Sequence, residues 1–385
     1  MKVIYLISGV HLYGDNRSIL QTILCNKNRV ESVVCTTGQG LLTDVLSENN
    51  IKYYVLNSLL SPNIVNKKES LRAKIGRFRR YPFAFLKFIK IIKKESPDII
   101  HTNNSLIFGG YILSKTFKIP HVWHIREYQD LDHKLINPFI KTEKRWMNNS
   151  YCIAITKGIY DYWNLTGPKD TFIYNGMFSM NELLPYHFHK ESYFLFTGRI
   201  VETKGVHDML EAFGIFAKNN KNINMVIAGE IGDNDYEKKL LSIIKRHNIE
   251  DRVKFVGFLK DIKPLMQKAK ALIVPSYFEA MGRITAEAML TGCFVIGKNT
   301  AGTKELLEKS NSGILYNNSD ELVLAMNKVA KMTNDELSNL NIKTFNEAKK
   351  YYLSEINADN IYNYYQYVLN DFTNKSNKQD RLRLA

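Results

Sequence analysis

Thirteen short apolar runs recur along the chain, and stretches with helical periodicity separate most of them. Short strands joined through helices cannot pair as hairpins. They build parallel sheets with helices on both faces, a doubly wound α/β arrangement. In the first half the expected strands are 3–7, 30–35, 52–56, 99–102, 121–123, 151–155 and 171–174, with helices notably at 17–26, 40–49, 83–95 and 105–117. In the second half they are 193–197, 225–228, 253–257, 272–274, 294–296 and 313–315, with helices at 205–218, 236–247, 261–269, 283–290 and 303–308. A polar stretch at 178–191 separates the two sets. The expectation is two Rossmann-like domains, 1–180 and 190–354, facing each other across a cleft. Ligands of such sheets sit beyond the carboxyl ends of the strands. A helix at 355–372 and a polar, basic tail at 373–385, expected to fray, complete the chain.

The chain's 385 residues suit two cores rather than one, and 45% hydrophobic content argues against long disorder. No run of 18 apolar residues offers a membrane-spanning helix. The first ten residues read as a buried strand rather than a signal peptide. Cys25, Cys35, Cys152 and Cys293 lack metal or redox spacing, which fits reduced thiols in a cytoplasmic protein. The net charge of +15 is concentrated: residues 66–94 hold 11 Lys/Arg against Glu69 alone. Phe78, Tyr81, Phe83, Phe85 and Phe88 lie in the same segment. For 83–94 the pattern reads as an amphipathic helix with Phe85, Leu86, Ile89 and Ile92 inward and Lys87, Lys90 and Lys94 outward. For 67–81, dense in charge and poor in core pattern, the expectation is contact with an anionic membrane.

The chemistry-bearing residues fall in strand-end loops. Gly198, Arg199, Lys204 and Gly205 follow strand 193–197 and open a helix: a glycine turn, helix amides and two cations suited to a diphosphate. A basic loop capping a helix would read the same way. Glu279 and Glu287 stand eight positions apart around the start of helix 283–290, with Gly282 and Arg283 between them. Carboxylates bind vicinal hydroxyls, so the pair suits a ribose and a sugar; a solvated helix face is the plainer alternative. Ala301, Gly302 and Thr303 follow strand 294–296 and could turn amides toward the same diphosphate. In the first half, His124 at a strand end could contact the transferred sugar, with Arg126 and Glu127 fixing its loop. Gly14, Asp15 and Asn16, in the loop between strand one and helix one, border the expected acceptor site. Asp233-Asn234-Asp235 has the DxD form of a metal motif but reads as a solvated turn, so no metal ligand is assigned.

Assembled in this order, these residues resemble glycosyltransferase family 4, retaining enzymes of the GT-B fold. Glu279 and Glu287 match its E-x7-E motif, and Arg199 and Lys204 its Arg-x4-Lys-Gly stretch. The resemblance implies that Arg199 and Lys204 hold the donor diphosphate, Glu287 the ribose and Glu279 the transferred sugar. Ala301 replaces the first glycine of the family's Gly-Gly turn, and Tyr13-Gly14 stands at its N-terminal Gly-Gly. It also implies front-face transfer without metal or other cofactor, and a final helix crossing back onto the first domain. The Lys/Asn/Ile-rich composition resembles bacterial capsule and exopolysaccharide transferases. Expected partners are a nucleotide-sugar donor, UDP ahead of GDP, and a glycan or polyprenyl-linked acceptor at the inner membrane face, with no nucleic acid. Two alternatives remain open at this point: another GT-B enzyme such as a non-hydrolysing sugar-nucleotide epimerase, and a non-enzymatic basic protein that binds membrane or nucleic acid.

Overall fold

A computed structural model describes residues 1–12, 14–61 and 79–384, of which His133 and 378–384 are described by backbone alone. Seven strands, β1 (Lys2–Ile7), β2 (Glu31–Thr36), β3 (Lys52–Val55), β4 (Ile99–Thr102), β5 (His121–Ile125), β6 (Tyr151–Ala154) and β7 (Asp170–Phe172), form one sheet. Its order is β3-β2-β1-β4-β5-β6-β7, parallel throughout. Six more, β8 (Tyr193–Thr197), β9 (Asn224–Ala228), β10 (Val253–Gly257), β11 (Ala271–Val274), β12 (Val295–Lys298) and β13 (Ile314–Tyr316), form a second parallel sheet of order β10-β9-β8-β11-β12-β13. The chain divides into Met1–Gly176 with Ser354–Ala385, and Met177–Leu353. Both sheets reverse strand order beside their first strand, between β1 and β4 and between β8 and β11. Loops leaving those two strands diverge and open a crevice at the carboxyl end.

Strand alternation sorts the first core. Val3, Tyr5 and Ile7 of β1 pack on one face with Ile19 and Ile23 of helix Gly14–Cys25 and with Ile361, Tyr365 and Val368. Ile4 and Leu6 point to the opposite face, against Phe88, Ile91 and Ile92 of helix Tyr81–Glu95. Ile361, Tyr365 and Val368 belong to helix Ser354–Leu384, which therefore completes the first unit's core. Asn357 fastens it, donating from Nδ2 to Tyr174 O at 2.7 Å while its Oδ1 accepts from Thr22 Oγ1 at 2.6 Å. In the second unit Phe194 and Phe196 of β8 pack with Met209, Phe213 and Phe216 of helix Val206–Ala217.

Three expectations need correction. Helix Tyr81–Glu95 turns Phe88, Ile91 and Ile92 inward and leaves Leu86 outward, because Phe88 rather than Leu86 is in phase with Ala84 and Ile91. The last helix does not stop at Phe372 but continues to Leu384: no Gly or Pro interrupts 373–384, and Lys375 pairs with Asp371 at 2.5 Å. Helices Ser319–Lys331 and Asn334–Tyr352 are additional to those expected. Their start signals were in the sequence. Asn318 Oδ1 accepts from Glu321 N, and Thr333 and Glu336 form a capping box. Most of the 67–81 segment, residues 67–78, lies outside the described residues. Among the described residues no helix is long and apolar enough to cross a membrane. Among the described residues no disulfide joins the cysteines; Cys25 is half-buried, and Cys35, Cys152 and Cys293 are buried.

Candidate active site

The crevice of the second sheet gathers three loops that the sequence places far apart. The loop after β8 begins at Gly198 (φ 141°), whose N–H donates to Ala228 O at 3.0 Å. Ile200 then pairs with the segment after β9, its N–H donating to Glu230 O at 2.9 Å. The loop ends at Gly205 (φ 65°), where helix Val206–Ala217 begins. A Cβ on Gly205 would stand 2.3 Å from Pro275 O, so the turn runs directly against the loop after β11. Tyr277 N donates to Thr203 O at 3.1 Å, a second tie between these two loops. Across them Lys204 Nζ forms an ion pair with Glu279 Oε1. Arg199 is exposed and has no acidic partner among the described residues.

The third loop follows β12. Gly302 N donates to Glu279 O at 2.9 Å, tying the turn at 300–303 to the glutamate loop. Ala301 adopts φ 39°, left-handed territory that costs an L-residue about 1–2 kcal/mol. The position therefore has the backbone a glycine would take freely, and alanine accepts the strain. Gly282 (φ 77°) starts helix Arg283–Leu290 and leans on the same turn, its Cβ position 3.1 Å from Thr303 Oγ1 and 3.4 Å from Thr285 Oγ1. Both threonine hydroxyls are buried without a hydrogen-bond partner among the described residues. Thr285 was not singled out from sequence; only its place in the first turn of that helix could have marked it. Glu287 is buried one turn on from Arg283, with Arg283 Nη2 at 3.4 Å from its Oε1. Thus Lys204, Glu279, Gly282, Gly302 and Thr303 come together, while Glu287 sits deeper, on the helix. Asp233 is a helix cap: its Oδ1 accepts from Asp235 N and Tyr236 N at 2.7 and 3.1 Å.

In the first unit, β5 runs through His124 to Ile125, so His124 lies within the strand and is fully buried rather than at a strand end. Arg126 reaches Asn103 Oδ1 at 2.9 Å, Asn175 Oδ1 at 2.6 Å and His124 Nδ1 at 3.2 Å. A guanidinium only donates, so His124 Nδ1 accepts. Burial, and then the Arg126 charge, hold His124 and His101 well below the usual histidine range, so both are neutral. The proton of His124 therefore sits on Nε2, which is buried without a partner among the described residues. Asn16 braces the loop after β1, donating to Ser8 O at 2.9 Å and His11 O at 3.0 Å. Asp15 Oδ1 accepts from Asn16 N at 2.9 Å, and Gly14 (φ 29°) has open space where a Cβ would project.

Glu127 and Glu143 form a buried acidic pair beside this loop, bridged by neutral groups. Glu127 Oε1 accepts from Ser105 N at 2.8 Å and Ser105 Oγ at 2.6 Å. Gln129 Nε2 donates to both Ser105 Oγ (2.6 Å) and Glu143 Oε1 (2.8 Å). Burial pushes Glu127 up to about 7 and Glu143 up to about 8, against the opposing hydrogen bonds. Acids with a raised folded pKa bind more protons folded than unfolded, so stability falls as pH rises from about 4.5 through these values. Urea midpoints should drop between pH 5.5 and 8.5, and drop less in Glu143→Gln. Equal drops in both proteins would show that Glu143 does not titrate in this range.

Residues 185–366 match the family model of glycosyl transferases group 1. Over that span the chain is similar to group 1 glycosyl transferases. Among curated relatives, the capsular polysaccharide biosynthesis glycosyltransferase CapH of Staphylococcus aureus is 24% identical, over 80% of this chain and 83% of its own. The Campylobacter jejuni enzyme named GalNAc-alpha-(1->4)-GalNAc-alpha-(1->3)-diNAcBac-PP-undecaprenol alpha-1,4-N-acetyl-D-galactosaminyltransferase is 26% identical, over 91% of this chain and 93% of its own. Among solved structures, Anabaena HepE in complex with UDP is similar with a TM-score of 0.76 at 20% identity, covering 94% of this chain and 98% of that one. A glycosyltransferase from Rickettsia africae ESF-5 has a TM-score of 0.78 at 17% identity, covering 96% and 98%. These likenesses show the fold, GT-B, and the match to the group 1 family model lies in its second half.

Proposed function

We propose that the chain is a retaining hexosyltransferase, of family 4 type, that uses a UDP-sugar to extend a glycan or polyprenyl-linked acceptor in cell-surface polysaccharide synthesis. One observation carries this reading: Lys204 and Glu279 close on each other across the β8 and β11 loops, with Arg199 exposed nearby in sequence. The names of the CapH and Campylobacter relatives and the UDP-bound HepE support the choice of donor and acceptor class.

In the proposed reaction the bond from the anomeric carbon to the diphosphate oxygen breaks, and the acceptor hydroxyl bonds the same face of that carbon. The acceptor's proton passes to the departing phosphate oxygen, so no side-chain nucleophile is required. Arg199 and Lys204 take up the growing diphosphate charge in place of a metal. Glu279 holds sugar hydroxyls, and Glu287, with Arg283, the ribose. Gly198, Gly282, Ala301, Gly302 and Thr303 shape the donor's cradle, and Gly14, Asp15, Asn16 and His124 serve the acceptor unit. The basic segment 67–81 holds the protein to the cytoplasmic membrane face.

Thermal shift with a panel of nucleotides tests the donor. UDP should raise Tm above the shift given by GDP, since a ligand at 100 times its Kd adds about 2.7 kcal/mol. A panel in which no nucleoside diphosphate moves Tm would refute the donor site.

A further inference from the structure

The corrected phase of helix Tyr81–Glu95 moves Leu86, expected inward, to the outer face beside the outward lysines. Phe83 and Leu86 are 72% and 56% exposed, three residues apart. At 3.6 residues per turn, Phe83, Leu86, Lys87, Lys90 and Lys94 fall within an arc of roughly 100° on one side of the helix. Ala84, Phe88, Ile91 and Ile92 fill the other side and anchor the helix to its sheet. Arg79 and Arg80, both exposed, precede the helix. Its one acid, Glu95, is buried and paired with Lys52 at 2.7 Å, leaving the outer face uniformly cationic. None of Arg79, Arg80, Lys87, Lys90, Lys93 or Lys94 pairs with an acid among the described residues.

A stripe of two large apolar side chains ringed by lysines fits one partner chemistry well. Lysine stems lie along an apolar layer while their ammonium groups meet anionic headgroups, and Phe and Leu sink between acyl chains. A protein partner would need acidic groups placed to match; a lipid surface offers them everywhere, each basic residue there strengthening binding roughly fivefold. We infer that the outer face of helix Tyr81–Glu95 is an anionic-lipid contact, with Phe83 and Leu86 as its inserting residues. It extends to a described helix the contact proposed for 67–81 and rests on that reading for its partner, but it assigns the insertion to other residues.

Co-sedimentation of the full chain with phosphatidylglycerol and phosphatidylcholine vesicles tests it. The wild type should bind the anionic vesicles, less so at high salt, and not the neutral ones. The double variant Phe83→Ser/Leu86→Ser should bind phosphatidylglycerol at least tenfold more weakly, with 67–81 intact and the UDP-induced Tm shift unchanged. Lys87→Ala/Lys90→Ala should weaken binding and flatten its salt dependence. If the wild type fails to bind, both membrane proposals fall. If it binds and Phe83→Ser/Leu86→Ser binds equally, this inference alone falls. A wild-type dimer in solution that the same double variant dissociates, with vesicle binding unaltered, would overturn it in favour of a second copy of the chain.

Discussion

Lys204→Ala and Arg199→Ala should each lower kcat by about 10²–10³, the usual loss on removing a donor that acts on transition-state charge. UDP release from the donor sugar is the readout. The two side chains start from different settings. Arg199 is exposed, with no acidic partner among the described residues, so its charge is available to an incoming diphosphate. Lys204 is half-buried and already paired with Glu279. Removing it takes away a cation and also unpairs the carboxylate proposed to hold the sugar. Lys204→Ala should therefore raise the donor KM as well as lower kcat, whereas Arg199→Ala should act mainly on kcat. Near-normal turnover in both variants would leave the diphosphate without its proposed ligands.

The strands were legible because each is an apolar run bounded by polar residues, and all thirteen fall where that pattern puts them. Helix phase was less so. Between residues 83 and 92 almost every position is apolar or aromatic, so several inward faces satisfy the pattern. Packing of Phe88 against the sheet, a tertiary effect, chooses among them. Helices Ser319–Lys331 and Asn334–Tyr352 could have been found from their caps, although the second has a sparse apolar stripe.

In the site, charge and glycine placement were readable, since a loop proposed to hold a diphosphate needs both. What the sequence hides is contact between loops roughly 75 residues apart, which strand order alone creates. His124 shows the limit from the other side. The strand was inferred two residues short, and the two added residues bury the imidazole against Arg126. The buried pair Glu127 and Glu143 was equally hidden, because nothing local to either residue signals the other.

Gly302→Ala should disable the donor site through backbone geometry alone. An added Cβ would stand 2.3, 2.4 and 2.5 Å from the carbonyl carbon, oxygen and Cα of Met281. All three are main-chain atoms, so no side chain can swing aside. The turn at 300–303 must then move off the 279–282 loop, breaking the 2.9 Å bond from Gly302 N to Glu279 O. That motion displaces Glu279, and with it Lys204, and opens the contact between Gly282 and Thr303. Overpacking of this kind costs about 1–3 kcal/mol. The variant should melt below wild type and lose the UDP-induced rise in Tm. Ala301→Gly, one residue away, is the control: it relieves a φ of 39° and should match or exceed wild-type stability while keeping the UDP response. A Gly302→Ala protein with wild-type Tm and UDP response would mean that the three loops do not depend on this contact to form the site.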